Sequence, residues 1–362
     1  MIRQHGKLTF LSFLLVVLCG NTFAQKIPVI PLDLDSLITV GYATGSLKTL
    51  SGSVEKITEK QMNKDQVTNP LEAIRGRVPG LTIQRGTNGL AALDAVRLRG
   101  TTSLTSGNDP LIIVDGVFGD LSMLTSIYPT DIESFTILKD ASETAQYGSR
   151  GASGVIEVTT KKGMQGRTQV AYNGSFGIST VYKNLKMLSG DEFRSVASER
   201  GISILDKGNN TNFQKEIQQT GLQQNHHVAF YGGSSTSSYR VSLGFMDRQG
   251  VILNEDMKNF TSNMNMNQKM FDGFFDCELG MFGSILKNHN LVDYQKTFYS
   301  AATFNPTYPN HKDPVTNSWD GITTASQITN PLAWMQVDDD DATSHISTHA
   351  RFTFNLMKEL KL

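Results

Sequence analysis

The sequence is poor in cysteine, in net charge and in long apolar runs. Its 362 residues include two cysteines, and 33 basic residues nearly balance 34 acidic ones. The lack of a basic block excludes the electrostatic footprint of a nucleic-acid-binding protein. After the first 24 residues no segment approaches the 18 consecutive apolar residues typical of a membrane helix. A location in a membrane would therefore require a β-barrel, since only helices and closed barrels satisfy their backbone groups in lipid.

Residues 1–24 have the three parts of a secretory signal peptide. Basic residues precede an apolar run at positions 8–18, and Ala24 ends a small-residue cleavage site. The run is about half the roughly 20 residues that a membrane-spanning helix needs, so a retained anchor is the weaker interpretation. Cleavage after Ala24 also removes Cys19. The mature chain then keeps only Cys277 and forms no internal disulfide.

Residues 51–163 are predicted to form a compact α+β domain of short elements. Asn69 offers a helix cap and Pro70 a first helical position, and apolar residues follow at helical spacing. Asp140 and Glu143 have the spacing of a capping box, which predicts a short helix there. Strands are predicted at 81–84, 96–99, 111–114, 134–139 and 155–160.

From about residue 165 the pattern changes to two-residue alternation in segments of about ten residues, which is typical of transmembrane barrel strands. Val170 and Tyr172, for example, share a face opposite Gln169 and Asn173. A soluble β-sandwich alternates equally well and is the alternative. The predicted strands are 168–180, 225–234, 238–249, 260–270, 274–286 and 344–357.

Six strands are too few for a closed pore, because single-chain barrels begin at about eight strands and the plugged ones use about 22. We therefore expect residues 164–362 to form an incomplete barrel and the chain to be the front part of a longer protein. A fragment, a frame-shifted remnant and one piece of a split gene all satisfy this expectation.

Three glycines spaced by three, Gly148, Gly151 and Gly154, raise the question of a phosphate-binding loop. Such loops follow a strand and open a helix, so that helix N–H groups point at the anion. Here a predicted helix precedes the glycines and a β-branched strand follows them. That order favours a tight structural corner.

Other candidate sites are weak. His345 and His349 share one face of a strand but lie about 13 Å apart, too far to hold one metal ion. His226 and His227 point to opposite faces, and the acidic run 338–341 lacks the alternating ligands and glycine of a calcium loop. The sequence therefore predicts no catalytic residue, no metal and no cofactor.

A long loop at 287–343 carries aromatic residues among Asn, Pro and Asp. Loops of this length in a β scaffold are usually functional. The aromatic rings either stack on a sugar or grip a peptide, or they pack the loop against its neighbours, and both alternatives stay open. They are Phe298, Tyr299, Phe304, Tyr308, Trp319 and Trp334.

Four stretches together, "NPLEAIRGRVPGLTIQ", "VRLRG", "NDPLIIVDGV" and "DIESFTILKDASETAQYGSRGASGVIEVTTKKG", closely resemble the plug domain of the SusC/RagA family of TonB-linked outer-membrane transporters. The similarity continues through "TGLQQNHHVAFYGGSSTSSYRVSLGFMDRQGVI" into that family's first barrel strands and weakens after Asn288. The plug residues that carry the resemblance are Arg97, Arg99, Gly100, Asp115, Gly116, Lys139, Asp140, Tyr147, Gly148, Arg150, Gly151 and Gly154.

The resemblance implies an α+β plug inside a barrel of the 22-stranded type in the bacterial outer membrane. Such a protein imports a nutrient, a glycan or a peptide, with energy from the inner-membrane TonB complex, and commonly pairs with a SusD-like surface lipoprotein. The linker at 25–50 carries a segment where the family keeps its TonB box. A short β-prone run of this kind adds readily to the edge of a partner's sheet. The segment consists of Ser36, Leu37, Ile38, Thr39, Val40 and Gly41.

The chain departs from the family pattern in two ways. The small regulatory-like domain that many members carry before the TonB box is not expected here, and most of the barrel is missing. We expect polar plug residues to contact the barrel wall, namely Arg97, Arg99, Glu133, Lys139 and Arg150. The alternative function is a surface binding or adhesion protein that uses the aromatic loop and never transports.

Overall fold

The computed structural model describes residues 37–40, 43–46, 52–63, 69–86, 89–90, 94–105, 107–291, 293–321, 329–357 and 360–361. The predicted signal peptide at 1–24, and Ser36 and Gly41 of the TonB-box-like segment, lie outside these residues. Within them, no helix is both long and apolar enough to cross a membrane.

The first part of the chain forms a small domain, called the plug below, around a five-stranded sheet. The strands of this part are β1 (Leu37–Val40), β2 (Ala43–Ser46), β3 (Val54–Thr58), β4 (Leu81–Gln84), β5 (Ala95–Leu98), β6 (Leu111–Val114), β7 (Val117–Gly119), β8 (Ile132–Leu138) and β9 (Val155–Thr160). The sheet has the order β3-β8-β9-β6-β7, with β6 and β9 parallel and the other pairs antiparallel. Two separate antiparallel pairs, β1-β2 and β4-β5, accompany it.

One face of this sheet carries the plug's main hydrophobic core. Ile112, Ile137 and Ile156 have no exposed surface. Their β-branched side chains pack well on the pleated surface of a strand. The strand β6 is buried at all four positions, as its apolar run predicts. Phe282, which lies far along the chain in a later strand, belongs to the same cluster.

The second part of the chain is one antiparallel sheet, called the wall below, in which each strand pairs with the next. All six predicted strands are present, most of them longer than predicted, and a short strand follows them. They are β10 (Gly166–Ser179), β11 (Gly221–Gly233), β12 (Ser237–Gln249), β13 (Asp256–Met270), β14 (Phe275–His289), β15 (Asp340–Met357) and β16 (Leu360–Lys361). The strand β15 begins inside the acidic run that was expected to be a loop.

The two faces of the wall differ in polarity, as predicted from the alternation. Val170 and Tyr172 are 62% and 64% exposed on the outer face. Asn225, Asn263 and Asn265 are buried on the inner face, where the plug covers them. An apolar outer face and a polar inner face are the arrangement of an outer-membrane barrel wall.

Two predicted helical features differ in detail. Asn69 does cap a helix, but the helix is a single 3-10 turn, Pro70–Ala73. The helix α1 (Ala141–Thr144) is present, yet Asp140 does not cap it. Its carboxylate instead accepts the Ser53 N–H at 2.6 Å, because the chain before β3 passes within reach. The predicted capping box is therefore wrong.

The long connections lie at one end of the wall and the short turns at the other. The long ones contain the helices α2 (Gly190–Glu199), α3 (Phe213–Glu216), α4 (Tyr294–Thr303) and α5 (Pro331–Trp334), which the sequence reasoning did not predict. In outer-membrane barrels long loops face the exterior. Phe213, Phe304 and Leu332 from these loops pack together in a second hydrophobic cluster.

Candidate functional site

The plug touches the wall mainly through residues 120–131, called the docking segment below. Asp120 caps a 3-10 helix, Leu121–Ser126, by accepting the Ser122 N–H at 3.0 Å. A second 3-10 turn, Pro129–Asp131, then brings Asp131 to the inner face of the wall. The sequence reasoning missed this segment.

Asp131 is the centre of a buried polar cluster between the plug and the wall. Its carboxylate accepts a hydrogen bond from the Arg240 guanidinium at 2.9 Å and one from the Ser242 hydroxyl at 2.6 Å. The His227 Nε2 atom lies 3.0 Å from the same carboxylate. Asp131 is 2% exposed and Arg240 is 8% exposed, so both charges are held away from water.

The electrostatics of this cluster favour an ionised Asp131. Burial by itself raises the pKa of the carboxyl group, but the interactions with His227, Ser242 and Arg240 outweigh it and lower the pKa below its usual value. A paired and hydrogen-bonded charge is the form in which buried ions are tolerated.

Further contacts extend the docking on both sides of Asp131. The Tyr128 ring stacks on the His227 ring at a centroid distance of 4.6 Å. The Asn259 amide donates to the Thr125 carbonyl at 3.1 Å, and the Ser126 and Ser284 hydroxyls lie 3.1 Å apart. The docking is polar around Asp131 and apolar beside it, where Tyr128 packs with Met246, Met257 and Leu286 of the wall and where Phe282 enters the plug core.

The end of the plug also holds to the wall. The Asn265 amide donates to the Thr160 hydroxyl at 3.1 Å at the end of β9. Lys162 forms an ion pair with Glu278 of β14. The Thr160 hydroxyl in turn donates to the Asp115 carboxylate at 2.6 Å. Asp115, one of the residues that carry the resemblance to the plug domain, therefore helps to position Thr160.

The five residues expected to contact the wall lie elsewhere. Among the described residues, Arg97 pairs with Asp109 and Arg99 with Asp140, both within the plug. Lys139 pairs with Glu55 at 2.8 Å, and Arg150 lies 5.8 Å from the centre of the Phe118 ring. Glu133 is exposed. The wall contacts therefore come from the docking segment, Thr160 and Lys162, whereas Arg97, Arg99 and Lys139 pair with carboxylates inside the plug.

The glycine corner has a structural role. Gly148 lies at a kink with φ 61° between two helical segments, and helix precedes strand as predicted. Gly154 has φ 90°, and a Cβ atom there would lie 2.5 Å from Leu98 Cδ1. Gly148 and Gly154 therefore both need a positive φ that favours glycine, and Gly154 also packs closely against Leu98.

A cavity of about 250 Å³ lies at the long-loop end, between the plug and the wall. The plug contributes Glu72 and Arg85, and the wall contributes Arg248. Glu255, in the connection after β12, and Tyr294, in α4, close the other side. Because the long loops face the exterior in outer-membrane barrels, this cavity is called the exterior cavity below.

Most charges around the cavity are matched. Arg85 pairs with Glu72 at 2.5 Å. Burial raises the pKa of Glu255, while hydrogen bonds from the Tyr294 hydroxyl and the Leu90 N–H partly offset this shift. Glu255 therefore interacts with the plug loop and with α4 together.

The aromatic residues of the long loop divide between the two alternatives. Phe304 is buried, and Tyr308 and Trp319 pack against the same cluster. Phe298 and Tyr299 are 45% and 59% exposed on α4. Packing therefore accounts for Phe304, Tyr308 and Trp319, whereas the rings of Phe298 and Tyr299 remain available to a ligand.

The structure also shows the middle of the TonB-box-like segment. The strand β1 pairs with β2 in an antiparallel hairpin, with Leu37 opposite Ser46 and Val40 opposite Ala43. His345 and His349, which were predicted to share one face of a strand, both lie on the inner face of β15. In the part of the chain that the structure describes, no group of three or more His, Cys, Asp or Glu side chains is arranged to hold a metal ion.

Comparisons with known proteins agree on one family. A model of the TonB-dependent receptor plug domain matches residues 46–155. The TonB-dependent receptor SusC of Bacteroides thetaiotaomicron is 32% identical over 91% of this chain. TonB-dependent receptor P3 of Formosa agariphila is 34% identical over 73% of it. The chain spans 36% and 26% of the lengths of these two relatives.

A solved structure of the RagAB peptide importer in an "open-open" state shares the fold. It superposes with a TM-score of 0.73 over 90% of this chain and 41% of its own, at 24% sequence identity. The similar proteins are receptors and importers, in agreement with the prediction that this chain is not an enzyme. The chain therefore belongs to the SusC/RagA family of TonB-linked outer-membrane proteins, and it carries the plug and an unclosed set of barrel-wall strands.

Proposed function

We propose that this chain supplies the plug and the first wall strands of an importer that takes up a nutrient across the outer membrane with energy from TonB. The observation that carries the proposal is the docking of the plug. Asp131, Arg240 and Ser242 hold the plug to the wall through hydrogen bonds, which can break and re-form more readily than a continuous apolar core, although Phe282 also joins the two. A stopper that moves on demand requires such an interface, whereas a purely structural core does not.

The proposed partner for the energy step is the TonB complex, acting on residues 36–41. Leu37–Val40 is a strand whose one edge pairs with Ala43–Ser46. An isolated two-stranded hairpin is marginally stable, so β1 is available to a partner's sheet at little cost. Pulling on this segment would load the plug from its periplasmic side.

The proposed nutrient is an oligosaccharide or a peptide, and the proposed partner at the cell surface is a SusD-like lipoprotein over the exterior loops. Two features support an exterior partner. The loops form their own hydrophobic cluster around Phe213 and Phe304, and α4 still exposes Phe298 and Tyr299. A folded platform with exposed rings suits a binding surface better than a disordered loop.

Deletion of residues 37–40 in the native receptor tests the proposal. Energised uptake of a labelled nutrient should be lost while binding at the cell surface stays unchanged, because the deletion is remote from the exterior cavity. Replacement of Leu37 to Val40 by the same residues in reverse order keeps composition and is the matched control for sequence-specific recognition.

Unchanged uptake after the deletion would refute the TonB role. The rival function, a surface binding or adhesion protein, predicts that binding is the whole activity and that uptake is absent in the unaltered receptor as well. A strain without TonB separates these outcomes, since the proposed importer loses uptake there and keeps binding.

A further inference from the structure

The exterior cavity is lined by a cation, Arg248, with which no described residue forms an ion pair or a hydrogen bond. Arg248 is the penultimate residue of β12, and its side chain lines the cavity together with Arg85. Glu72 and Glu255 act on Arg248 only through space, and among the described residues none forms an ion pair or a hydrogen bond with its guanidinium group.

The neighbouring charges are already engaged, which makes Arg248 different from them. Arg85 pairs with Glu72. Asp94, which is 5% exposed, receives the Asn69 amide and the Gly86 N–H, each at 3.3 Å. Arg75 also lies 3.5 Å from Asp94. Among the described residues that line the cavity, Arg248 is then the cation left without an ion-pair partner.

A guanidinium group presents its N–H donors in a planar fork that matches a carboxylate. Leaving such a fork partly buried without an acceptor costs free energy, which a ligand carboxylate recovers on binding. The cavity of about 250 Å³ is large enough for one sugar ring or one peptide end group and too small for a folded partner.

We infer that the exterior cavity is a subsite for a carboxylate group of the imported nutrient, held by Arg248. The inference rests on the proposed import function, because it names the chemistry of the ligand that the importer takes. The carboxylate belongs either to a uronic acid residue of an oligosaccharide or to the end of a peptide. In both cases a planar carboxylate lies against the planar guanidinium group of Arg248.

Titration calorimetry on the native receptor in detergent tests the inference with two matched pairs of probes. One pair is trigalacturonate and its methyl ester, and the other is trialanine and its amide. In the pair that matches the natural nutrient, the acid should bind about 10- to 100-fold more tightly than the neutralised form, as expected for a hydrogen-bonded charge. The pair that shows the preference identifies the source of the carboxylate.

Arg248→Gln should abolish the preference, because it weakens binding of the acid and leaves binding of the neutral form unchanged. Because no described residue bonds to the Arg248 guanidinium, the substitution breaks no internal contact and the variant should fold. Lys258→Gln is the matched control: it removes a cation from the next strand, where Lys258 is exposed and points away from the cavity. Arg248→Lys keeps the charge and loses the fork, so an intermediate affinity is expected.

Three results would overturn the inference: neither acid is preferred by more than about twofold, the preference survives Arg248→Gln, or no probe binds at about 10 mM. Measuring TonB-dependent uptake in parallel separates this outcome from failure of the proposed function. TonB-dependent uptake by a receptor that shows no preference for either acid refutes the subsite alone. A carboxylate preference in a receptor without TonB-dependent uptake refutes import and keeps the subsite.

Discussion

Removal of the Asp131 carboxylate should loosen the plug far more than removal of a surface charge. In Asp131→Ala the Arg240 guanidinium stays buried and loses its acceptor, while Ser242 loses its acceptor as well. Breaking one side of a buried ion pair typically costs about 3–5 kcal/mol. Opening of the plug–wall interface should become more frequent by about two to three and a half orders of magnitude, at about 1.4 kcal/mol per factor of ten.

Hydrogen exchange of the docking-segment amides in the native receptor measures this opening, because Ser126, Tyr128 and Asp131 of that segment are buried where they contact the wall. The control is Glu133→Ala, which removes an exposed carboxylate two residues further along the chain, in β8. The double variant Asp131→Ala, Arg240→Met should exchange more slowly than Asp131→Ala alone, since it leaves no unpaired charge. Equal exchange rates in Asp131→Ala and Glu133→Ala would refute the role assigned to this cluster.

Three further outcomes are expected. Phe282→Ala should destabilise the plug by about 3–5 kcal/mol in denaturant unfolding, because it empties a fully buried site in the plug core. Gly154→Ala should destabilise it by at least about 1 kcal/mol in the same assay, through its φ of 90° and the approach to Leu98. The folded-state pKa of Asp131 is lowered, so its contribution to docking is present above the unfolded value of about 3.9 and is lost as pH falls through the folded value. The protection of the docking-segment amides, measured relative to the intrinsic exchange rate at each pH, should therefore fall below about pH 4, and protection that stays constant down to about pH 2 would contradict the ionised Asp131.

Local patterns were sufficient for most of the fold. The wall strands follow from two-residue alternation, because successive side chains of a barrel strand face the lipid and the interior in turn. The glycine corner follows from the order of helix, glycines and strand. The parallel pairing of β6 with β9 and the helices inside the exterior loops were not predicted, since they depend on contacts between distant segments.

The docking site was missed for the same reason. Asp131 and Arg240 are separated by 109 positions, and neither residue type is unusual in its own segment. A usable signal was present in β12, where Arg240 is the only charged residue on the inner-facing positions before Arg248. A lone charge on the inner face of a wall strand calls for a partner on the plug. The same reasoning applied to the plug surface failed, because Arg97, Arg99 and Lys139 find carboxylates within the plug.

Phe282 links the order of assembly to the order of synthesis. The plug is made first, but one of the fully buried side chains of its core comes from β14, more than 120 positions after β9 ends. The plug therefore reaches its final packing only after the wall has formed up to β14. Until then the apolar site that Phe282 fills in the plug core stays open to solvent.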